Sequence, residues 1–342
     1  MYPDSSTNNS LSQCFSSDIV QNNDNNEVFI QNHIEEGLSI EESIDKIAQK
    51  FSEVSKEISP LDVANLPERV KTKMDNFDES EIPEVTPEDV YRLFKKRKNK
   101  NSITPGDLPS RIKKEFSIFI ATPAANLFNT ITKTGAYPRR WVREYVTPVK
   151  KLPVAESEDD LRPISIIADL ARDYNALIAE WLKPFLNKRM DPAQLGGEKG
   201  SSITHYLVAL FNFIFSKTDS AQSSPQAIIA ALVDYSKGFS RISHQKVLIR
   251  LSDWNVPGWL LRVVASYLTE RSMVVRSRGV QSKEYSLPSG GPQGDTLGMV
   301  VFLVESSDCG MDPPPPLLPP VAPGDISCVP FHPPPLQTEN QS

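Results

Sequence analysis

The residues whose types could do chemistry fall in separate stretches, and the first turns on one carboxylate. Asp234 ends the apolar run Ala227 to Val233 within AIIAALVDYSKGFSRISHQKVLIRL, residues 227–251. A short continuous apolar run is the pattern of a strand buried on both faces. A carboxylate at the carboxyl end of such a strand faces whatever crevice the sheet opens, where a metal-assisted reaction could use it. The plainer assignment is that Asp234 ends the strand or caps the helix predicted over Ser243 to Leu251. The second stretch is LPSGGPQGDTLG, Leu287 to Gly298. Its glycines and proline force an irregular backbone, letting main-chain groups approach a ligand and exposing Gln293. It has no P-loop lysine, and a glycine-rich loop alone is more often a turn than a phosphate cradle. The third is a predicted hairpin, Tyr145 to Leu152 and Leu161 to Ile167 around the acidic loop Pro153 to Asp160. It carries Lys150, Lys151 and Arg162, which are either ordinary surface charge or a clamp for a triphosphate.

Composition bounds what can position these groups. The chain has 342 residues, 39% of them hydrophobic, enough for one large domain or two average ones. A net charge of -6 is not that of a dedicated nucleic-acid binder. Acids crowd the first ninety residues and the last forty hold almost no Lys or Arg, so the middle is relatively basic and able to track phosphates. Cys14, Cys309 and Cys328 have no metal-ligand spacing, and a scattered odd number argues against a disulfide framework. The chain reads as intracellular. No apolar stretch is long enough to span a bilayer, and Met1 to Asn26 is polar and Ser/Asn-rich, unlike a signal peptide.

The elements follow from periodicity and breakers. Met1 to about Asn32 has the composition of a disordered tail. Ile40, Ile44, Ile47, Ala48 and Phe51 predict an amphipathic helix within Gly37 to Glu57. Thr86-Pro87-Glu88-Asp89 is a helix start with an N-cap, a first-turn proline and first-turn acids. That helix runs into Lys95, Lys96, Arg97, Lys98 and Lys100, which either complement its macrodipole or form a phosphate-tracking patch. After the breaker Pro105-Gly106, Arg111 to Gly135 predicts one helix. It has Phe116, Phe119, Ile120, Leu127, Phe128 and Ile131 for the core and Gly135 as C-cap. Leu170 to Arg189 and Ser202 to Phe215 predict helices flanking a loop, Pro192 to Gly200. His205 in the second has no other His at metal spacing. Trp254 to Glu270, opening at Pro257-Gly258, is a further helix, and Met273 to Arg278 with Glu284 to Leu287 a second hairpin.

Taken in order, LRPIS (161–165), GGEKGSSITHYL (196–207), ALVDYSKGFSRISH (231–244), VPGWLLRVV (256–264) and SGGPQGDTLGM (289–299) form a set of motifs. The set resembles the reverse transcriptase domain of non-LTR retrotransposons, from about Phe51 to about Val304. The resemblance implies an α+β right-hand polymerase with fingers and a partial palm, the palm an antiparallel sheet packed against helices. It implies a layout of a disordered tail (1–35), a helical N-terminal region (36–110), fingers and partial palm (111–304) and a Pro-rich disordered tail (305–342). By resemblance Asp234 is the first metal-binding carboxylate, and the backbone after it, from Tyr235, helps hold magnesium and the triphosphate. Phe239 stacks under the incoming sugar and leaves no room for a 2′-hydroxyl. Gln293, followed by Gly294, touches the incoming nucleotide, Arg162 meets the triphosphate, and Lys150 or Lys151 is the fingers lysine. The implied cofactor is Mg2+; the implied partners are an RNA template, a DNA primer and deoxynucleoside triphosphates, with no membrane.

The departures carry an expectation of their own. The family has two adjacent aspartates a few tens of residues after the position of Gly298. Here the acids beyond it are Glu305, Asp308, Asp312, Asp325 and Glu339, none adjacent to another, and the chain enters MDPPPPLLPPVAPGD. Proline at that density cannot supply the donors of a central strand. Gly238 stands where relatives tend to have alanine, and Ser240 where they often have Asp or Asn. The expectation is a copy truncated before the aspartate pair and thumb, inactive in DNA synthesis. The alternatives are a non-catalytic RNA or DNA binder, or a protein whose Pro-rich tail binds SH3-type or WW-type domains.

Overall fold

Ser39 and Glu42 form a capping box, each side chain accepting from the other's backbone N–H, and open α1 (Ile40–Ser55). Its Ile44, Ile47 and Ala48 are fully buried, as the helical spacing predicts. α2 (Glu68–Asp75) follows, and then α3 (Pro87–Lys96), where Thr86 and Asp89 make the predicted start with Pro87 in the first turn. At the far end of α3 the basic cluster divides. Arg97 turns inward to Asp173, at 2.7 Å, while Lys95 lies over the Tyr91 ring. Asp173 is fully buried, and Lys113 completes its neutralisation from the next helix, α4 (Ser110–Glu115). The structure, a computed structural model, describes residues 37–98, 104–105, 107–190, 196, 202–218 and 235–307, with Ile30 and His33. Outside the described residues lie Asp234 with its predicted strand, Lys100, the loop 192–200 apart from Gly196, the three cysteines and the Pro-rich segment.

The single helix expected over Arg111 to Gly135 is two. Phe116, with φ -94° and ψ 20°, ends α4, and α5 (Ser117–Thr134) begins on the other side of it. α5 buries Ala121, Ala124, Ala125, Phe128 and Ile131, one helical stripe. Phe119 lies two positions from Ala121, on the opposite side, and is 76% exposed; Phe116, at the break, is 52% exposed. Both were expected in the core. Gly135 ends α5 as predicted, with φ 69° and its N–H on the Ile131 carbonyl.

α6 (Arg139–Val142) leads directly into β1 (Arg143–Lys150), which pairs antiparallel with β2 (Leu161–Ile166) from Tyr145↔Ile166 to Lys150↔Leu161. This is the predicted cationic hairpin. α7 (Asp169–Leu186) and α8 (Ile203–Thr218) come next. α9 (His244–Asp253) is capped by the Ser243 hydroxyl, which accepts from the Lys246 N–H. Asn255, at φ 62°, breaks the chain before α10 (Gly258–Leu268), which opens at Pro257-Gly258 as expected. β3 (Ser272–Ser277), β4 (Val280–Gln281), β5 (Tyr285–Ser286) and α11 (Thr296–Ser306) complete the described elements. No helix among the described residues is long and apolar enough to cross a membrane.

The sheet runs β2-β1-β3-β4, with β5 also on β3. β1 and β3 are parallel, Arg143↔Ser272 to Val146↔Val275, so the described sheet is mixed where an antiparallel one was expected. β2 already brings the chain back to the end of β1 where β3 begins, so that Tyr145 lies opposite Ile166 on one side and Val274 on the other. One core fills the space between the helices, with Phe128, Tyr174, Leu182, Leu248, Leu260 and Val301. A smaller one seals α1 onto the sheet, with Ile44, Ile47, Val146, Leu161, Met273 and Val275.

The tightest helix contact is at Gly258, where a Cβ would lie 1.7 Å from the Lys73 carbonyl oxygen of α2. Gly258→Ala is expected to force α10 off α2 at a cost of about 1–3 kcal/mol. Urea unfolding checks it, and an unchanged midpoint would mean that α2 docks loosely.

Candidate functional site

The glycine-rich loop 287–294 is woven into its neighbours by main-chain bonds. Gly290 N–H donates to the Ile242 carbonyl at 2.9 Å and Gly291 N–H to the Phe239 carbonyl at 2.8 Å. Ser165 N–H on β2 donates to the Gln293 carbonyl at 2.9 Å. His244 Nε2 lies 2.6 Å from the Gly290 carbonyl oxygen, which requires that nitrogen to carry a proton and donate it. The loop accepts so many close partners because Gly290 has φ 89°, and a Cβ there would meet the Phe239 oxygen at 2.9 Å.

These bonds shape a cleft between the hairpin, the turn Gly238–Arg241 and the loop, with Glu144, Pro163, Ser165, Phe239, Ser240 and Gln293 in its lining. Phe239 and Gln293, far apart in sequence, are thus brought together. The hairpin cations are placed less uniformly. By strand alternation Lys150 shares the β1 face of Glu144 and Val146, which line the cleft. Arg162 alternates with Pro163 on β2, which puts it on the other face. Lys151 lies beyond the strand, and its Nζ donates to the Asp159 carbonyl at 2.6 Å. Tyr235 is 49% exposed, its ring edge-on to Phe302 at 6.3 Å. Gly294 has φ 111°, in the region that favours glycine. Asp234 lies outside the described residues.

Behind the cleft sits a buried polar network that local sequence patterns did not flag. Glu144 and Arg271 are 4% and 2% exposed and pair at 3.6 Å, and Glu144 Oε2 has no hydrogen-bond partner among the described residues. Asp295 precedes α11, where its type reads as an N-cap, yet its side chain makes no cap bond. It turns inward and accepts from Asn175 Nδ2 at 2.8 Å and from the Tyr267 hydroxyl at 3.2 Å. Tyr137 in turn donates to Asn175 at 2.7 Å. Burial raises the Asp295 pKa against the pull of these donors and of Arg271, and it raises those of Tyr137 and Tyr267. The network fixes the end of the loop to α7 and α10. Among the described residues no group of three or more His, Cys, Asp or Glu could hold a metal ion. Glu144, the carboxylate in the cleft lining, is engaged by Arg271, so the described residues do not fit a magnesium centre.

A family model described as reverse transcriptase (RNA-dependent DNA polymerase) matches residues 149–304. The chain is also similar to the probable RNA-directed DNA polymerase from transposon BS of Drosophila melanogaster, 26% identical over 187 residues, 54% of this chain and 20% of that protein. Against the RNA-directed DNA polymerase from mobile element jockey of the same organism, identity is again 26% over 187 residues, with 54% and 20% covered. Residues 149–304 form a reverse transcriptase domain of the non-LTR retrotransposon type. The probable polymerase from transposon X-element of the same organism is 23% identical over 184 residues, covering 53% of this chain and 20% of that protein. The chain thus spans about a fifth of the length of these relatives. All the motifs quoted from Leu161 to Met299 fall inside the reverse transcriptase domain, and so do Phe239 and Gln293.

Proposed function

We propose that the cleft receives an incoming deoxynucleoside triphosphate opposite an RNA template, at the 3′ end of a DNA primer. In this reading the hairpin is part of the fingers and the cleft floor part of the palm. The observation that carries it is the meeting of Phe239 and Gln293 on one cleft, held by the Gly291 to Phe239 main-chain bond. Phe239 supplies a flat apolar surface under the sugar, and Gln293 offers an amide to the base or the template strand. Lys150, on the cleft face of β1, is the better placed of the two lysines for the phosphates, while Arg162 lies on the other face of β2.

The proposal includes that this chain binds nucleotide and template without completing the transfer. By resemblance Asp234 would help hold a divalent metal, which would supply activation of the primer hydroxyl and charge neutralisation. Asp234 is the one carboxylate assigned to that task, and no two adjacent aspartates follow Gly298.

The test is binding of a labelled deoxynucleoside triphosphate to the purified chain on an RNA template with a DNA primer, beside magnesium-dependent primer extension. Binding without extension is expected. Gln293→Ala should weaken the triphosphate about tenfold, the equivalent of roughly one hydrogen bond. Extension abolished by Asp234→Ala would overturn the non-transferring part, and no binding to a folded chain would overturn the cleft assignment.

A further inference from the structure

The Phe239 ring has a partner behind it that the cleft itself does not reveal. Phe302, half-buried on α11, stacks on Phe239 with ring centroids 4.7 Å apart and planes 13° from parallel. Tyr235 meets the same Phe302 ring edge-on, at 83°. Phe302 therefore holds both ends of the segment 235–239. Space for it comes from Gly238, where a Cβ would lie 3.0 Å from Phe302 Cε2 and 3.2 Å from Tyr235 Cβ.

The backbone of this turn is already fixed. Gly291 N–H holds the Phe239 carbonyl and Ser240 N–H bonds the Lys237 carbonyl, leaving the side-chain torsions of Phe239 as its freedom. A parallel stack restrains those torsions, because tilting the ring would lose the offset contact. The ring that imposes the restraint rides on α11, which begins directly after the loop bearing Gln293; Phe302 lies about two turns along it. One rigid element thus sets both the loop that presents Gln293 and the plane of Phe239.

We propose that Phe302 is a specificity-determining positioning residue: by fixing the plane of Phe239 it sets how strongly the cleft rejects a ribose 2′-hydroxyl. This rests on the assignment of the cleft to an incoming deoxynucleotide. The class of ligand discriminated is deoxy- against ribonucleoside triphosphate.

The experiment uses the full chain labelled with 4-fluorophenylalanine, bound to an RNA template with a dideoxy-terminated DNA primer. The Phe239 fluorine resonance is assigned by its loss in Phe239→Leu, and dATP and ATP are titrated separately. Phe302→Leu is expected to shift that resonance and to reduce the preference for dATP over ATP at least fivefold, mainly by tighter ATP binding. Phe302→Tyr should keep both the resonance and the preference. Gly238→Ala, which presses a methyl against the Phe302 ring, should move the resonance and lower the preference in the same direction, and it serves if Phe302→Leu does not fold. A folded Phe302→Leu that weakens dATP and ATP equally, or changes neither, overturns the inference and leaves the cleft assignment standing. A wild-type chain that binds neither nucleotide overturns the cleft assignment, and the inference with it.

Discussion

Arg271→Met is expected to destabilise the protein by about 3–5 kcal/mol, a large share of what holds a domain of this size together. Arg271 is almost completely enclosed, and its guanidinium lies beside Glu144, itself 4% exposed, and over the Tyr267 ring at 5.0 Å. Methionine fills much of the same volume but leaves the Glu144 carboxylate buried without a counter-charge. That uncompensated charge, more than the lost contact, accounts for the size of the effect. The same reasoning fixes the control. Glu144→Gln combined with Arg271→Met removes the stranded charge, and the pair should recover most of the loss. Urea unfolding of the two single variants and the double variant reads the cycle. A single-variant loss below about 1 kcal/mol would mean that water reaches Glu144 from the cleft side.

The second large effect is on acid stability. Burial of His244, aided by the positive charge of Arg271 and opposed by its bond to the Gly290 carbonyl, lowers its pKa from 6.5 to about 4. Above pH 6.5 the imidazole is neutral in both states and the full stability is present. As pH falls below 6.5 the unfolded chain takes up a proton that the folded chain refuses until about pH 4. Stability is therefore lost across that window, by about 3 kcal/mol in all. Asp295 and Asp173 work the other way, since burial raises both above 3.8 and acidification through their folded values favours the folded state. His244→Gln keeps a donor for Gly290 and removes the titration, so its unfolding free energy should fall less between pH 7 and pH 5 than that of the wild type. Equal slopes in the two proteins would assign the acid sensitivity to another group.

The sequence displays local features and hides distant partners. Thr86 with Asp89 and Gly135 act within one helical turn of themselves, and each is legible from residue type and spacing alone, whereas Ser243, read as part of its helix, is the cap. The hairpin is legible for the same reason, since its two strands flank one acidic loop. On α5 Phe128 and Ile131 are buried as expected, while Phe119 and Leu127 lie off the buried stripe of Ala121, Ala124, Ala125 and Phe128 and are exposed. Asp295 looks like a cap and is not one, because Asn175 and Tyr267 offer donors in the interior that no spacing could announce. Glu144 with Arg271 and Phe239 with Phe302 are meetings of this kind. Their residue types are visible, and their partners are set by the fold. Of the cleft, the motifs supplied Phe239 and Gln293, while the groups that hold them in place came from elsewhere in the chain.

The covering helix α1 has a bearing on heredity. Its Ile44 and Ile47 close the same small core as Val146, Met273 and Val275, its Lys46 reaches Glu158, and Ser55 accepts from the Ser289 hydroxyl. All of α1 lies upstream of the segment that matches the family model. A copy that inherited only residues 149–304 would carry the recognisable motifs without α1 and without most of β1, the strand that joins β2 to β3. The heritable unit of this architecture is thus wider than its signature: a deletion that removed α1 or β1 would spare every motif quoted above and still unmake the sheet or its cover.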